Sequence, residues 1–167
     1  MEIAVLGGGN GSYAAAAHLS EQGHSVRMWR RNQSRFSKIL TSREITLEDW
    51  EGERRVKIDK ATDDLSSAIK GAKLVLIPLP ATCHNQLSNE VAPYLEDGQV
   101  VFFSPGTFGS YIFAESLRRS DNLAEVTFAE TGTLPYLARK QSEDKVRISV
   151  YATRLPTGVY PSSRTAV

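Results

Sequence analysis

A glycine cluster directly after the first apolar run is the feature that most limits how this chain can fold. The apolar run covers residues 3–6, and the cluster GGGNGS that follows it leads into an alanine-rich stretch. A second β-prone run, residues 26–29, follows this stretch, which is long enough to form one helix. A strand, a glycine turn, a helix and a second strand form the first β-α-β unit of a dinucleotide-binding fold.

The residues of this turn predict a phosphate site built from backbone. Gly7 lets the chain turn sharply off the strand, and Gly9 has no Cβ, so that backbone can approach a pyrophosphate closely. Ser12 stands where a third glycine is usual and is small enough for the helix to pack on the sheet. No Lys or Arg precedes Arg27, so we expect free N–H groups and the helix dipole to hold the phosphates. A glycine-rich turn without a ligand is the alternative for the motif alone, but its place between two strands favours a nucleotide.

Two arginines at the end of the second strand predict which nucleotide binds. NAD-selective folds place Asp or Glu there, where it accepts a hydrogen bond from the ribose 2′-hydroxyl. Here the position holds Arg30, followed by Arg31. A guanidinium forms paired, charge-assisted bonds with a 2′-phosphate, which a carboxylate would repel. The sequence therefore predicts that NADP is preferred over NAD.

Strand-like and helix-like segments alternate along most of the chain. This alternation predicts an α/β fold, a doubly wound parallel sheet of the Rossmann type, over residues 1–152. Within it, residues 45–58 are expected to form a hairpin or an irregular crossing, and residues 146–151 the last strand. The mixture of Pro, Gly and Ser in residues 153–167 predicts a linker or the start of a further, helical domain.

Composition argues against several other classes of protein. Twenty basic residues balance nineteen acidic ones, so no net field attracts nucleic acid or an anionic membrane, and neither is expected as a partner. The single cysteine, Cys83, cannot form an intrachain disulfide, which favours a reducing, cytoplasmic location. No spacing of His, Cys, Asp and Glu indicates a metal site.

Four segments carry a more specific resemblance. Together, GGGNGS, PATCH, SPGTFG and EVTFAETGTLPYLARK resemble the opine dehydrogenases, which include octopine and nopaline dehydrogenases. The resemblance covers nearly the whole chain and implies a Rossmann-type domain that holds NAD or NADP. In that family a separate, mostly helical domain binds an amino acid and a 2-keto acid and supplies a catalytic His–Asp pair. The complete enzyme reduces the imine of these two substrates by hydride transfer from NAD(P)H.

The resemblance also implies roles for individual residues. Those that match the family's cofactor-binding turns are Gly7, Gly9, Asn10, Gly11 and Ser12 at the pyrophosphate, Pro80 and Thr82 near the adenosine-to-nicotinamide span, and Pro105, Gly106 and Thr107 on the nicotinamide side. Glu130 and Thr131 match the segment that faces the substrate cleft.

The family's catalytic pair has no counterpart before Val167. His84 and Glu130 are the only acid or base candidates expected near the strand ends, and both are weak, whereas His18 is expected on a helix surface. We therefore expect this chain alone to bind NAD(P)H but to catalyse no turnover. We also expect an apolar patch near its tail, which would favour homo-oligomers.

Two alternatives to the opine dehydrogenase interpretation stay open. Within enzymes, the chain could be a glycerol-3-phosphate-dehydrogenase-like or ketopantoate-reductase-like domain with the same cofactor chemistry. Outside enzymes, it could be a stand-alone NAD(P)-binding module that catalyses nothing. A helical domain encoded downstream would separate the opine dehydrogenase from the stand-alone module.

Overall fold

The computed structural model describes residues 1–166, which form two β-sheets and five α-helices. In chain order, the strands are β1 (Glu2–Leu6), β2 (Ser25–Trp29), β3 (Glu44–Asp49), β4 (Gly52–Lys57), β5 (Lys60–Thr62), β6 (Leu74–Ile77), β7 (Val100–Phe103), β8 (Thr127–Thr131), β9 (Tyr136–Lys140), β10 (Lys145–Tyr151) and β11 (Thr157–Tyr160). The helices are α1 (Asn10–Glu21), α2 (Ser37–Ser42), α3 (Leu65–Ile69), α4 (His84–Val91) and α5 (Gly109–Arg119).

Seven strands form the main sheet, in the order β11-β8-β7-β6-β1-β2-β5. All neighbouring strands in it are parallel except β11, which runs antiparallel to β8. The chain moves outward from β1 through β2 to β5 and then returns to the other side of β1 with β6. Such sheets bind ligands outside the carboxyl ends of the strands, where the winding direction changes. The predicted doubly wound, Rossmann-type α/β fold is confirmed.

Four further strands form a second sheet, in the order β4-β3-β10-β9. The hairpin expected in residues 45–58 is β3 and β4, and the expected last strand is β10, which pairs parallel with β3. The sheet packs on α1, whose residues 14–17 are all alanine and fully buried, and it contributes Leu47 and Ile148 to the shared core. Short alanine side chains therefore let α1 lie between the two sheets.

The second sheet also covers His18, which the sequence placed on a helix surface. The imidazole is half-buried between two tyrosines, with ring centroids 5.6 Å from Tyr136 and 4.8 Å from Tyr151. Its Nδ1 lies 3.1 Å from Tyr136 Oη. The expectation was wrong because the layer that covers this face of α1 comes from strands far away in the sequence.

Part of the segment after residue 152 belongs to the main sheet. β11 pairs with β8, from Thr157 opposite Thr131 to Tyr160 opposite Phe128. Residues 153–166 therefore contain a strand where the sequence predicted a linker, and Val167 lies outside the described residues. None of the helices in residues 1–166 combines the length and the apolar character that crossing a membrane requires.

Candidate functional site

Six parallel strands end at one edge of the main sheet, and the turns after five of them hold or adjoin the predicted site residues. These turns follow β1, β2, β6, β7 and β8. The glycine turn joins β1 to α1, next to the end of β6, where the winding direction changes. The sequence-predicted site residues therefore lie on the edge where ligands of this fold bind.

Close contacts at Gly7 and Gly11 shape the glycine turn. Gly7 has a φ of +121°, and a Cβ there would lie 2.6 Å from Leu79 Cδ2 and 2.7 Å from Ser12 Oγ. Glycine is the residue that adopts such a conformation at little steric cost. A Cβ at Gly11 would lie 3.1 Å from Pro78 Cβ. The start of α1 is thereby held close against the turn that follows β6.

The N-terminus of α1 is open and uncapped. Gly9 is its N-cap residue, and a Cβ at Gly9 would meet nothing within 4 Å. No side chain of residues 1–166 caps this helix, and its first turn holds no acidic residue. Ser12 Oγ is buried beneath the turn, without a hydrogen-bond partner in the described part of the chain. The free N–H groups and the helix dipole at this open helix start fit a dinucleotide phosphate.

Asn10 joins the glycine turn to the second sheet. Its Oδ1 accepts a hydrogen bond from the backbone N–H of Lys140 over 2.9 Å. Lys140 ends β9, and its Nζ lies 3.5 Å from the ring centroid of Tyr13 on α1. Sequence reasoning missed Lys140, because only the fold brings it next to a turn 130 positions away.

Arg30 and Arg31, both predicted at the 2′-phosphate, point to different neighbours. The Arg30 side chain lies across Gly8, where a Cβ would collide with it, and it donates to the carbonyl of Arg35. Arg31 reaches α4 instead and donates to both carboxylate oxygens of Glu90 over 2.8 Å. Arg30 is therefore the arginine that lies beside the glycine turn.

Burial and like charge set the pKa values around Tyr13. Burial raises the pKa of Tyr13 to about 12, although the nearby positive charge of Arg30 opposes this rise. Burial, together with the charge of Arg30, lowers the pKa of Lys140 to about 8. Two cations thus lie close to one buried phenol at the start of α1.

The turn after β7 is fastened to the end of β8. The Gly106 N–H donates to the carbonyl of Thr131 over 2.9 Å, and a Cβ at Gly106 would collide with the side chain of Glu130. The other predicted residues of this edge are exposed or partly exposed: Pro80, Thr82, Pro105 and Thr107. The structure thus brings them to the expected edge, and their contact with a cofactor stays a prediction.

His84, one of the two weak catalytic candidates, is fully buried at the start of α4. Its Nε2 lies 3.3 Å from the Leu79 carbonyl, and its ring packs 5.2 Å from that of Phe103 between centroids. Nδ1 has no hydrogen-bond partner among residues 1–166. Burial lowers the pKa of His84, so the imidazole is neutral at pH 7. A direct contact with a ligand would require this side chain to become exposed.

Glu130, the other candidate, holds the start of α5. Its Oε2 accepts hydrogen bonds from the backbone N–H and the hydroxyl of Ser110, each over 3.1 Å. A carboxylate near a helix N-terminus is stabilised by the helix dipole. Across residues 1–166 there is also no group of three His, Cys, Asp or Glu side chains that could hold a metal ion.

Comparison with known proteins finds similarity to two kinds of dehydrogenase, glycerol-3-phosphate dehydrogenases and opine dehydrogenases. Residues 2–128 match the family described as NAD-dependent glycerol-3-phosphate dehydrogenase N-terminus. The chain is 29% identical over 161 residues to an opine dehydrogenase of Arthrobacter sp. (strain 1C), covering 96% of this chain and 45% of that protein. It is 31% identical over 155 residues to a glycerol-3-phosphate dehydrogenase of Azotobacter vinelandii, covering 90% of this chain and 44% of that protein.

A solved structure of octopine dehydrogenase with NADH and L-arginine is similar in fold. It aligns with a TM-score of 0.82 and 25% identity, over 95% of this chain and 42% of that one. The chain therefore spans less than half the length of each of these proteins.

Proposed function

The chain belongs to the family described as NAD-dependent glycerol-3-phosphate dehydrogenase N-terminus. That description names NAD, but we propose from the position of Arg30 that this chain binds NADP(H) in preference to NAD(H). Its similarity to these dehydrogenases identifies it as an NAD(P)-binding oxidoreductase domain. The observation that carries the proposal is the open, uncapped start of α1 with Arg30 beside it. A guanidinium at this place favours a ribose 2′-phosphate over a 2′-hydroxyl.

Each part of the sheet edge has a role in this proposal. The N–H groups at the start of α1 would bind the pyrophosphate, and Arg30 would bind the 2′-phosphate. The turn with Gly106 and Thr107 would line the nicotinamide side. When bound, the cofactor supplies the hydride. The chain's own share of the chemistry is to orient the cofactor along the strand ends.

Calorimetric titration of the wild type and of Arg30→Asp with NADPH and with NADH tests the cofactor preference. We expect the wild type to bind NADPH more tightly, and Arg30→Asp to weaken NADPH binding by about tenfold or more with a smaller loss for NADH. Arg55→Asp is the matched control, because Arg55 is exposed on β4 and belongs to the second sheet. A wild-type preference for NADH, or equal losses for both cofactors, would refute the assignment of Arg30.

For the complete protein we propose an opine-dehydrogenase reaction, reduction of the imine of an amino acid and a 2-keto acid. The similarity to the Arthrobacter opine dehydrogenase covers 96% of this chain and supports this choice. A separate region would supply the amino acid and keto acid contacts. Rates of NADPH oxidation distinguish the three enzyme classes when they are measured with amino acids plus pyruvate or 2-oxoglutarate, with ketopantoate, and with dihydroxyacetone phosphate. Turnover confined to ketopantoate or dihydroxyacetone phosphate would refute the opine assignment.

The stand-alone NAD(P)-binding module is the second candidate function. Binding of cofactor by the complete protein without turnover of any of these substrates would favour it. A cytoplasmic location and a homo-oligomeric state belong to the proposal as well. The absence of any disulfide partner for Cys83 in the sequence supports the first of these.

A further inference from the structure

Lys140 and Arg30 lack an acidic partner next to the proposed nucleotide site. Lys140 lies over the ring of Tyr13 on α1, and the Arg30 side chain lies across Gly8 in the turn that leads into the same helix. Within the described residues, no carboxylate lies within 4.0 Å of either cation. Two neighbouring cations repel each other unless an anion lies between them.

The acidic residues of the β9–β10 turn are engaged elsewhere. Glu143 Oε1 accepts hydrogen bonds from the backbone N–H of Lys38 over 2.9 Å and from Ser37 Oγ over 3.1 Å. Asp144 pairs with the Lys38 ammonium over 3.5 Å. These carboxylates hold the start of α2. Their charges act on Lys140 and oppose the lowering of its pKa, but neither carboxylate lies within 4.0 Å of its ammonium group.

Lys140 is fixed in its place by contacts at both ends of the residue. The Asn10 side chain binds its backbone N–H, and the ring of Tyr13 lies under its ammonium group. A cation that is held in place beside a second cation forms a site suited to an anion.

We propose that Lys140 is a second cation for the 2′-phosphate of NADP(H) and acts with Arg30. This inference rests on the proposed preference for NADP. The end of β2, where Arg30 lies, is the position at which this fold meets the ribose 2′ group. A guanidinium offers paired donors and an ammonium a compact charge, so the two together match a phosphate dianion. NADH would leave both cations unneutralised, and Lys140 therefore helps to determine cofactor specificity.

The test is calorimetric titration of Lys140→Gln with NADPH, NADH, 2′-AMP and 5′-AMP. We expect Lys140→Gln to weaken NADPH and 2′-AMP by about tenfold or more, and NADH and 5′-AMP by less than about twofold. Lys140→Arg should keep most of the NADPH affinity, because it keeps the charge. Lys57→Gln is the matched control, since Lys57 is exposed on β4 at the opposite edge of the same sheet. Thermal unfolding of each variant establishes that it is folded.

The outcomes separate this inference from the function on which it rests. Equal losses for NADPH and NADH would show that Lys140 serves the pyrophosphate and would overturn the inference. Unchanged NADPH affinity in Lys140→Gln would overturn it too, while tight binding of NADPH by the wild type would still support the proposed function. Failure of the wild type to bind either cofactor would refute the proposed function itself.

Discussion

Gly9 is the residue at which the phosphate site can be tested without disturbing the fold. Its φ of −87° and ψ of −174° are extended, a conformation that valine adopts readily. A side chain there would extend into open space, since nothing lies within 4 Å of an added Cβ. Gly7 differs, because its φ of +121° would strain any larger residue.

We expect Gly9→Val to fold and to lose at least about tenfold in affinity for both NADPH and NADH. The branched side chain would occupy the place of the pyrophosphate, while the weaker N-cap costs about 1 kcal/mol of stability. Calorimetric titration and thermal unfolding measure the two effects. Gly158→Val is the control, because it adds the same side chain to the edge strand β11, where a Cβ lies 4.0 Å from its nearest neighbour. Unchanged cofactor affinity in Gly9→Val would contradict the pyrophosphate assignment.

The residues of the glycine turn could be predicted from the sequence because their geometry is local. Gly7, Gly9 and Ser12 lie within one turn, whose conformation the sequence predicted, and their contact with a phosphate stays a prediction. Lys140 could not be predicted in this way, because its neighbours are set by the packing of β9 on α1. The same holds for Arg31, whose ion pair with Glu90 depends on where α4 lies.

At the scale of elements, one arginine joins α1 to the second sheet. Arg54 on β4 donates to Asp49 over 2.8 Å and also to Glu21 at the end of α1. Tyr151 Oη donates to the other Asp49 oxygen over 2.6 Å. The Asp49 side chain is only 2% exposed, and the hydrogen bond from Arg54 is the main reason that the pKa of Asp49 lies far below its usual range. The carboxylate therefore depends on Arg54 for its charge.

We expect Arg54→Ala to lower the free energy of unfolding by roughly 2 kcal/mol at pH 7. Loss of one partner from a buried pair costs several kcal/mol, and the partial exposure of Arg54 reduces this. Because the pKa of Asp49 is depressed in the folded state, this stabilisation is present above about pH 4 and is lost as pH falls further. Urea unfolding at pH 7 and pH 3 measures both effects. Arg55→Ala, on the same strand but 79% exposed, should change stability by less than about 0.5 kcal/mol, and equal losses in both variants would contradict this account.

The second sheet shows what local patterns leave undetermined. The sequence predicted a hairpin or an irregular crossing for residues 45–58 and a strand for residues 146–151, but nothing in either stretch indicates that β3 pairs with β10. One signal was present in the alanine run of α1, because a helix without a polar face is covered on all sides. The strand β11 was missed for a related reason: Gly158 and the flanking Pro156 and Pro161 are typical of loops, and only the free edge of β8 makes this segment a strand.

At the scale of the whole molecule, three exposed aromatic side chains lie together near the tail, where the sequence predicts an apolar patch. Phe108, Tyr111 and Tyr160 are 69%, 57% and 38% exposed, and they lie side by side at the start of α5 and the end of β11. The ring centroids of Phe108 and Tyr111 are 6.3 Å apart, and those of Tyr111 and Tyr160 are 4.9 Å apart. Contiguous apolar surfaces of this kind mark interaction sites. Self-association through it stays a prediction.

We expect the purified chain of residues 1–167 to bind NADPH but to catalyse no sustained oxidation of it. Hydride transfer to an imine needs a proton donor within hydrogen-bond reach of the nitrogen and a site closed to bulk water. Neither weak candidate offers this, because His84 is buried and neutral, and the Glu130 carboxylate already accepts two hydrogen bonds from Ser110.

The measurement is NADPH oxidation with several amino acids plus pyruvate or 2-oxoglutarate, with cofactor binding followed by calorimetry in parallel. Binding without turnover is the expected result, because positioning of the reactants contributes roughly 7–11 kcal/mol of barrier reduction and an open sheet edge positions only the cofactor. Glu130→Gln and Ser110→Ala are the paired variants. Any sustained turnover would contradict the prediction. If Glu130→Gln then abolished it and Ser110→Ala raised it, the carboxylate at the start of α5 would be the proton donor.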